Sequence, residues 1–226
     1  MIATALVTGA SSGIGLACVK KLLDLDYHVY GMARDFSKAA LHHDNFTAIQ
    51  IDLSQDKSYP DIPDLSLMIH CAGVGHFAPH EELSTKQIEE MINLNLTAPL
   101  LLTRHYLRTL KKQAGTIFNI NSISGIEPAL YGAAYGASKA GLSHFGTSLF
   151  KEARKSGLKV ININPDITKT AFFDNLHFQE SDDALAYIEP EDIAKVIEDV
   201  LNQRPGTVIT DITIQPQKFQ IKKKKQ

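Results

Sequence analysis

The chain has 226 residues, 44% of them hydrophobic, enough for one large buried core. A formal net charge of -2 gives no argument for a polyanionic partner over the body of the protein, so no nucleic-acid partner is expected. Cys18 and Cys71 match neither a CxxC nor a zinc-ligand spacing, and no apolar run approaches the ~20 residues that cross a bilayer. With an N-terminal apolar run too short for a secretory signal, the expectation is a cytoplasmic protein without a metal site or membrane contact.

Residues 2–7 form a short apolar, partly β-branched run and predict a buried parallel strand. Thr8-Gly9-Ala10-Ser11-Ser12-Gly13-Ile14-Gly15 follows, then Leu16, Val19, Lys20 and Leu23 at helical spacing. A strand, a glycine-rich turn and a helix start make a phosphate cradle, because free backbone N–H groups and the positive end of the helix dipole face the anion. A purely structural turn is the alternative. The second strand, residues 28–33, ends at Arg34 with no carboxylate at Ala33. An acid in this place holds a ribose 2′-hydroxyl and an arginine accommodates a 2′-phosphate, so Arg34 favours NADP(H), with NAD(H) or a solvated surface arginine as the alternatives.

Residues 46–51 alternate and predict a third strand, closed by Asp52-Leu53; Asp52 is placed either to accept from adenine or to cap the next turn. Residues 65–70 predict a fourth strand, and the small residues of Cys71-Ala72-Gly73 let a ligand lie against the backbone. Ser84 caps a long helix through about residue 110, bent at Pro99, with the polar Asn95 among apolar neighbours either as a structural partner of a kink or as part of a site. Residues 115–121 predict a fifth strand with Ser122 at its C-terminal end, the side on which ligands sit in open parallel sheets.

The small-residue run 132–141 opens a helix to about residue 155, and it carries Tyr135 and Lys139 on one face, offset by only ~40°. A phenol and an ammonium then point into one cleft. Residues 158–164 predict a sixth strand ending at Pro165, 189–202 a last helix and 207–214 a seventh strand. Residues 169–188, rich in Phe and acids, read as a mobile segment over the site. Phe172, Phe173, Leu176, Phe178 and Tyr187 either line an apolar pocket, with His76 or Tyr131 reaching it, or fold the segment back on the core. Residues 1–217 read as one domain, and 218–226 as a basic, disordered tail.

Taken together, Thr8-Gly-x-x-x-Gly-Ile-Gly15, Asp52-Leu53, Ala72-Gly73, Asn95-Leu96, Ser122, Tyr135-x-x-x-Lys139 and Pro165 followed by Thr170 resemble the short-chain dehydrogenase/reductases over nearly the whole chain. The resemblance implies a three-layer Rossmann-like, doubly wound α/β fold with a seven-stranded parallel sheet, exchanging a hydride between NAD(P) and a small carbonyl or alcohol. It implies Tyr135 as acid/base, Lys139 as its electrostatic partner and ribose ligand, Ser122 as the anchor of the substrate oxygen, and Asn95 as the anchor of a water in a kinked helix. The cofactor contacts it implies are Gly9, Ser11, Ser12, Gly13, Ile14, Gly15, Arg34, Asp52, Leu53, Ala72, Gly73, Tyr135, Lys139, Pro165, Ile167 and Thr170. A homodimer or homotetramer pairing through the 84–110 and 135–155 helices is expected with it. Cys71 stands where this family has asparagine, and Asp166 where it has glycine. A protein that binds NADP(H) as sensor or scaffold without turnover is the competing reading, and an epimerase or dehydratase has little room for its larger C-terminal substrate region.

Overall fold

The computed structural model describes residues 2–224. Among them the strands are β1 (Thr4–Thr8), β2 (His28–Ala33), β3 (Phe46–Gln50), β4 (Leu65–His70), β5 (Thr116–Ile120), β6 (Lys159–Pro165), β7 (Phe178–Glu180), β8 (Asp211–Ile214) and β9 (Ile221–Lys223). The α-helices are α1 (Gly13–Asp24), α2 (Thr85–Ile92), α3 (Ala98–Lys112), α4 (Ala133–Ala153) and α5 (Pro190–Leu201). Seven strands form one parallel sheet in the order β3-β2-β1-β4-β5-β6-β8. The chain winds outward from β1 through β2 to β3, then returns to place β4 on the other side of β1. Between β1 and β4 lies the switch point, where such folds bind their ligands.

Strand alternation explains the three layers. Val7, Ile69, Phe118 and Ile161 face α1 and α5, where they pack with Val19, Leu22, Ile193 and Ile197. Their neighbours Leu6, Met68, Ile117 and Val160 face α3 and α4, and pack with Leu102, Leu110 and Leu149. Because both faces are covered, the strands read as continuous apolar runs. Each fully buried Leu or Ile contributes on the order of 2 kcal/mol.

The predicted long helix starts where expected, at a capping box in which Ser84 and Gln87 each bond the other's backbone. It is interrupted at Asn93–Thr97 by a π-helical turn, immediately before Pro99. Proline has no N–H to offer the carbonyl four residues back, so the α-helical pattern cannot continue through Asn95. The seventh strand of the sheet is shorter than the predicted 207–214, beginning at Asp211.

The predicted tail needs correction. Ile221–Lys223 are not disordered; they form β9, paired antiparallel with β7 inside the 169–188 segment. That segment also carries 3-10 turns at Ala171–Phe173 and Ala184–Ala186. Lys218 pairs with Asp183 at 2.8 Å, Lys222 with Asp182 at 2.6 Å, and the Lys224 ammonium donates to the Phe173 and Asp174 carbonyls at 2.6 and 2.8 Å. Composition reads these lysines as solvated because their partners lie 35 to 51 residues away in sequence. Residues 225–226 of the predicted tail lie outside the described residues.

Candidate active site

At the end of β1 the chain turns through Gly9 at φ +68°, and a Cβ there would lie 3.0 Å from Ala72 Cα. A Cβ on Gly15 would overlap the Gly9 carbonyl oxygen. The two glycines thus let the turn fold tightly under α1, beside the residues that follow β4. Ser12 is the N-cap of α1 but makes no side-chain cap, and the helix has no acid in its first turn. Backbone N–H groups there keep their capacity for an outside acceptor, which fits a diphosphate. Gly13 sits against Thr170, whose methyl would be 3.0 Å from a Cβ on it. Ile14 is turned into the α1-side core.

Arg34 is exposed at the end of β2. Its neighbour Asp35 is occupied locally, accepting from the Ser37 N–H and hydroxyl, both at 2.8 Å. Asp52 accepts from the Ser54 hydroxyl at 2.7 Å and the Ser54 N–H at 3.0 Å, so it caps the turn after β3. Those bonds, chiefly that of the Ser54 hydroxyl, hold its carboxyl below the usual range, with Arg34 adding its charge. Leu53 belongs to the α3-side core. Across the switch point, Thr8 Oγ1 accepts from the Cys71 and Ala72 N–H groups, both at 3.0 Å, which braces the strand ends beside the unusual Cys71.

Asn95, Ser122, Tyr135 and Lys139 are all buried. Lys139 donates to the Ile120 carbonyl at 2.9 Å and stands 5.9 Å from the centre of the Tyr135 ring. A Cβ on Gly73 would be 3.3 Å from Asn95 Oδ1 and 3.4 Å from Lys139 Nζ, so three segments distant in sequence meet at one point. Burial pushes the Tyr135 phenol up to about 12, against the opposing hydrogen bond of Ser122. Burial brings Lys139 down to about 8, with Cys71 acting against it. At neutral pH the tyrosine is therefore protonated and the lysine still charged.

The side chain of Asn95 is fully engaged. It accepts from the Val74 N–H at 2.9 Å and donates to the Val74 carbonyl at 2.8 Å and to Ser138 Oγ at 3.0 Å. Ser138 in turn donates to the Tyr135 carbonyl at 2.7 Å, so Asn95 is a strut from the end of β4 to the first turn of α4. Ser138 and Val74 escaped the sequence reading; the serine three residues after Tyr135 was the available signal.

Phe77 and Phe172 stack around Tyr135 with ring centres 5.1 and 5.8 Å away, and Phe173 and Phe178 continue the cluster. The segment's aromatics thus fold back on the core and wall the tyrosine at the same time. Phe77 was not anticipated, since it sits in a loop without periodicity. His76 pairs with Glu90 at 2.9 Å, and Tyr131 is exposed. Pro165 and Ile167 are buried at the end of β6, and Asp166 accepts from the Ile167 N–H at 2.8 Å. Thr170 caps the 3-10 turn that carries Phe172.

A parallel sheet that reverses at β1 and β4, with a glycine cradle on one side of the reversal and a buried Ser-Tyr-Lys group on the other, defines a dinucleotide-binding oxidoreductase class. Residues 3–181 match the family described as short chain dehydrogenase, and the chain belongs to that family. It is 28% identical to a serine 3-dehydrogenase of Agrobacterium fabrum, over 96% of this chain and 94% of the relative. It is also 28% identical to a probable NADP-dependent dehydrogenase of Haemophilus influenzae, over 94% and 93% of the two chains. Among solved structures, 4-hydroxyisoleucine dehydrogenase complexed with NADH and succinate superposes with a TM-score of 0.79 at 26% identity, covering 94% of this chain and 97% of that one. An alcohol dehydrogenase of the archaeon Thermococcus sibiricus shares the fold with a TM-score of 0.84 at 21% identity, covering 96% and 97%.

Proposed function

We propose that this short-chain dehydrogenase transfers a hydride between NADP(H) and a small carbonyl or alcohol, with Tyr135 as acid and base. The convergence of Asn95 and Lys139 at Gly73, beneath the Tyr135 ring, carries the reading. A bound nicotinamide supplies or accepts the hydride; everything else falls to the chain. Ser122 holds the substrate oxygen and orients it toward the phenol. Tyr135 gives that oxygen its proton in reduction, a role suited to a phenol that burial keeps protonated. Lys139 holds the nicotinamide ribose and stabilises the phenolate that proton transfer leaves behind. The Asn95 carbonyl holds a water through which Lys139 exchanges protons with solvent.

Gly9, Ser11, Ser12, Gly13 and Gly15 receive the diphosphate, and Ala72, Gly73, Pro165, Ile167 and Thr170 flank the nicotinamide half. Preference for NADP(H) rests on Arg34, which faces solvent with its one adjacent acid, Asp35, already bound to Ser37. Tyr135→Phe tests the assignment. Reduction of simple aldehydes and ketones by NADPH should fall by at least ~10³-fold, while the dissociation constant for NADPH, read from its fluorescence, stays within about threefold of wild type. Full turnover by the variant would remove Tyr135 from its role.

A further inference from the structure

Lys169 precedes Thr170 in sequence and lies outside the predicted cofactor contacts. With Gly13, Leu16, Thr170 and Glu189 it lines a cleft of about 300 Å³ between the first turn of α1 and the start of α5. The Thr170 side chain, whose methyl would lie 3.0 Å from a Cβ on Gly13, brings this segment up to the cradle. The Lys169 ammonium is 3.8 Å from Glu189 Oε1, donates to the Tyr187 hydroxyl at 3.4 Å and stands 4.8 Å from the centre of the Tyr187 ring. Both members of the ion pair are about half exposed, so their attachment is long and screened by water.

We propose that Lys169 is a diphosphate-binding residue of the cofactor site, held in reserve by Glu189 and Tyr187 and transferred to the diphosphate when the dinucleotide binds. The inference rests on the reading of the glycine cradle as the diphosphate seat. Its first support is electrostatic. The N-terminal end of α1 offers about half a unit of positive charge, whereas a diphosphate brings about two negative ones. Among the described residues lining the cleft, Glu189 and Glu191 add negative charge, and Lys20 is the other cation, about two turns down α1 from Gly13. Lys169 directly precedes Thr170, which packs on Gly13, and its four-carbon stem gives the ammonium freedom to turn from one partner to the other.

The second support is that Glu189 does not depend on the lysine. It is the N-cap residue of α5, where its carboxylate remains at the positive end of a helix dipole. Its backbone N–H donates to Asp192 at 3.0 Å, which fixes that turn whatever Lys169 does. The exchange leaves a satisfied acid behind and a paired diphosphate in front.

The test is binding to the intact protein, independent of turnover, with NADPH fluorescence as the probe and ADP and adenosine 2′-monophosphate as displacing ligands. Lys169→Gln should weaken NADPH and ADP about tenfold each and leave adenosine 2′-monophosphate within twofold. Lys169→Arg should restore most of the loss. Glu189→Gln should tighten NADPH severalfold, because it releases the lysine and removes a competing anion. If Lys169→Gln binds NADPH within twofold of wild type, or weakens all three ligands equally, the proposal is overturned. These outcomes are read from affinity, so they stand apart from the failure of the hydride-transfer reading, which would show as tight NADPH binding without reduction of any carbonyl.

Discussion

The glycine cradle and the β7–β9 ribbon lie at opposite ends of a scale of construction. The cradle is made of backbone: Gly9, Gly13 and Gly15 bend the chain over a few consecutive residues, and its neighbours Thr8 and Ala72 are fixed by buried strands. The ribbon is a short strand pair held in place by side chains reaching across the chain, with exposed Lys218 and Lys222 and half-buried Lys224 fastened to acids and carbonyls of 173–183. One region is positioned by burial and sterics, the other by charge pairs in water. Sterics tolerate almost no substitution and ignore salt; exposed ion pairs behave in the opposite way.

The sharpest break in that comparison comes from Gly15→Val. A side chain there must displace the Gly9 carbonyl, so NADPH affinity should fall by at least ~100-fold, about 2.7 kcal/mol, in a fluorescence titration. A variant that binds normally would show that the cradle is not built by close approach.

Acid should strike the same half of the molecule. His70, the last residue of β4, is buried with Nε2 on Thr103 Oγ1 at 2.9 Å, and burial lowers it from 6.5 to about 3. Below pH 6.5 the unfolded chain takes up a proton that the folded one refuses until about pH 3. Stability present above pH 6.5 is therefore lost as pH falls toward 3, by roughly 4–5 kcal/mol in total. Denaturant melts at pH 7, 5 and 4 check this. His70→Leu should flatten the profile, at a penalty of about 1 kcal/mol for the unpaired Thr103 hydroxyl.

The ribbon should give the smallest effect on stability. Ending the chain after Gln217 should lower Tm by only about 2–4 °C, yet speed proteolytic cleavage within residues 174–183 by roughly tenfold. Wild-type protein in 0.5 M salt should move partway toward that cleavage rate. If truncation unfolds the sheet, the two regions are not separable as described.

The same contrast explains what the sequence disclosed. Strand runs such as Leu65–His70 were legible because burial on both faces leaves a continuous apolar signature, and the Tyr135–Lys139 spacing because a helix repeats locally. Lys224 on the Phe173 carbonyl was not, since a hydrogen bond across 51 residues leaves no local mark. The contact of Asn95 with Ser138, across 43 residues, was hidden in the same way, although each residue sat near a recognised position. Asp52 allowed two readings in sequence, and its bonds to Ser54 show it capping a turn.

The π-turn at Asn93–Thr97 has a consequence for how one helical stretch serves two masters. In an unbroken α-helix, residues 11 apart differ in direction by only ~20°, so Met91 and Leu102 would look toward the same layer. Instead Met91 packs with Tyr135 while Leu102 packs under the sheet. A wide turn takes up more than the 3.6 residues of an α-helical turn, so it offsets the helical phase of α2 from that of α3, and along this one run of chain Met91 contributes to the wall of the site and Leu102 to the scaffold.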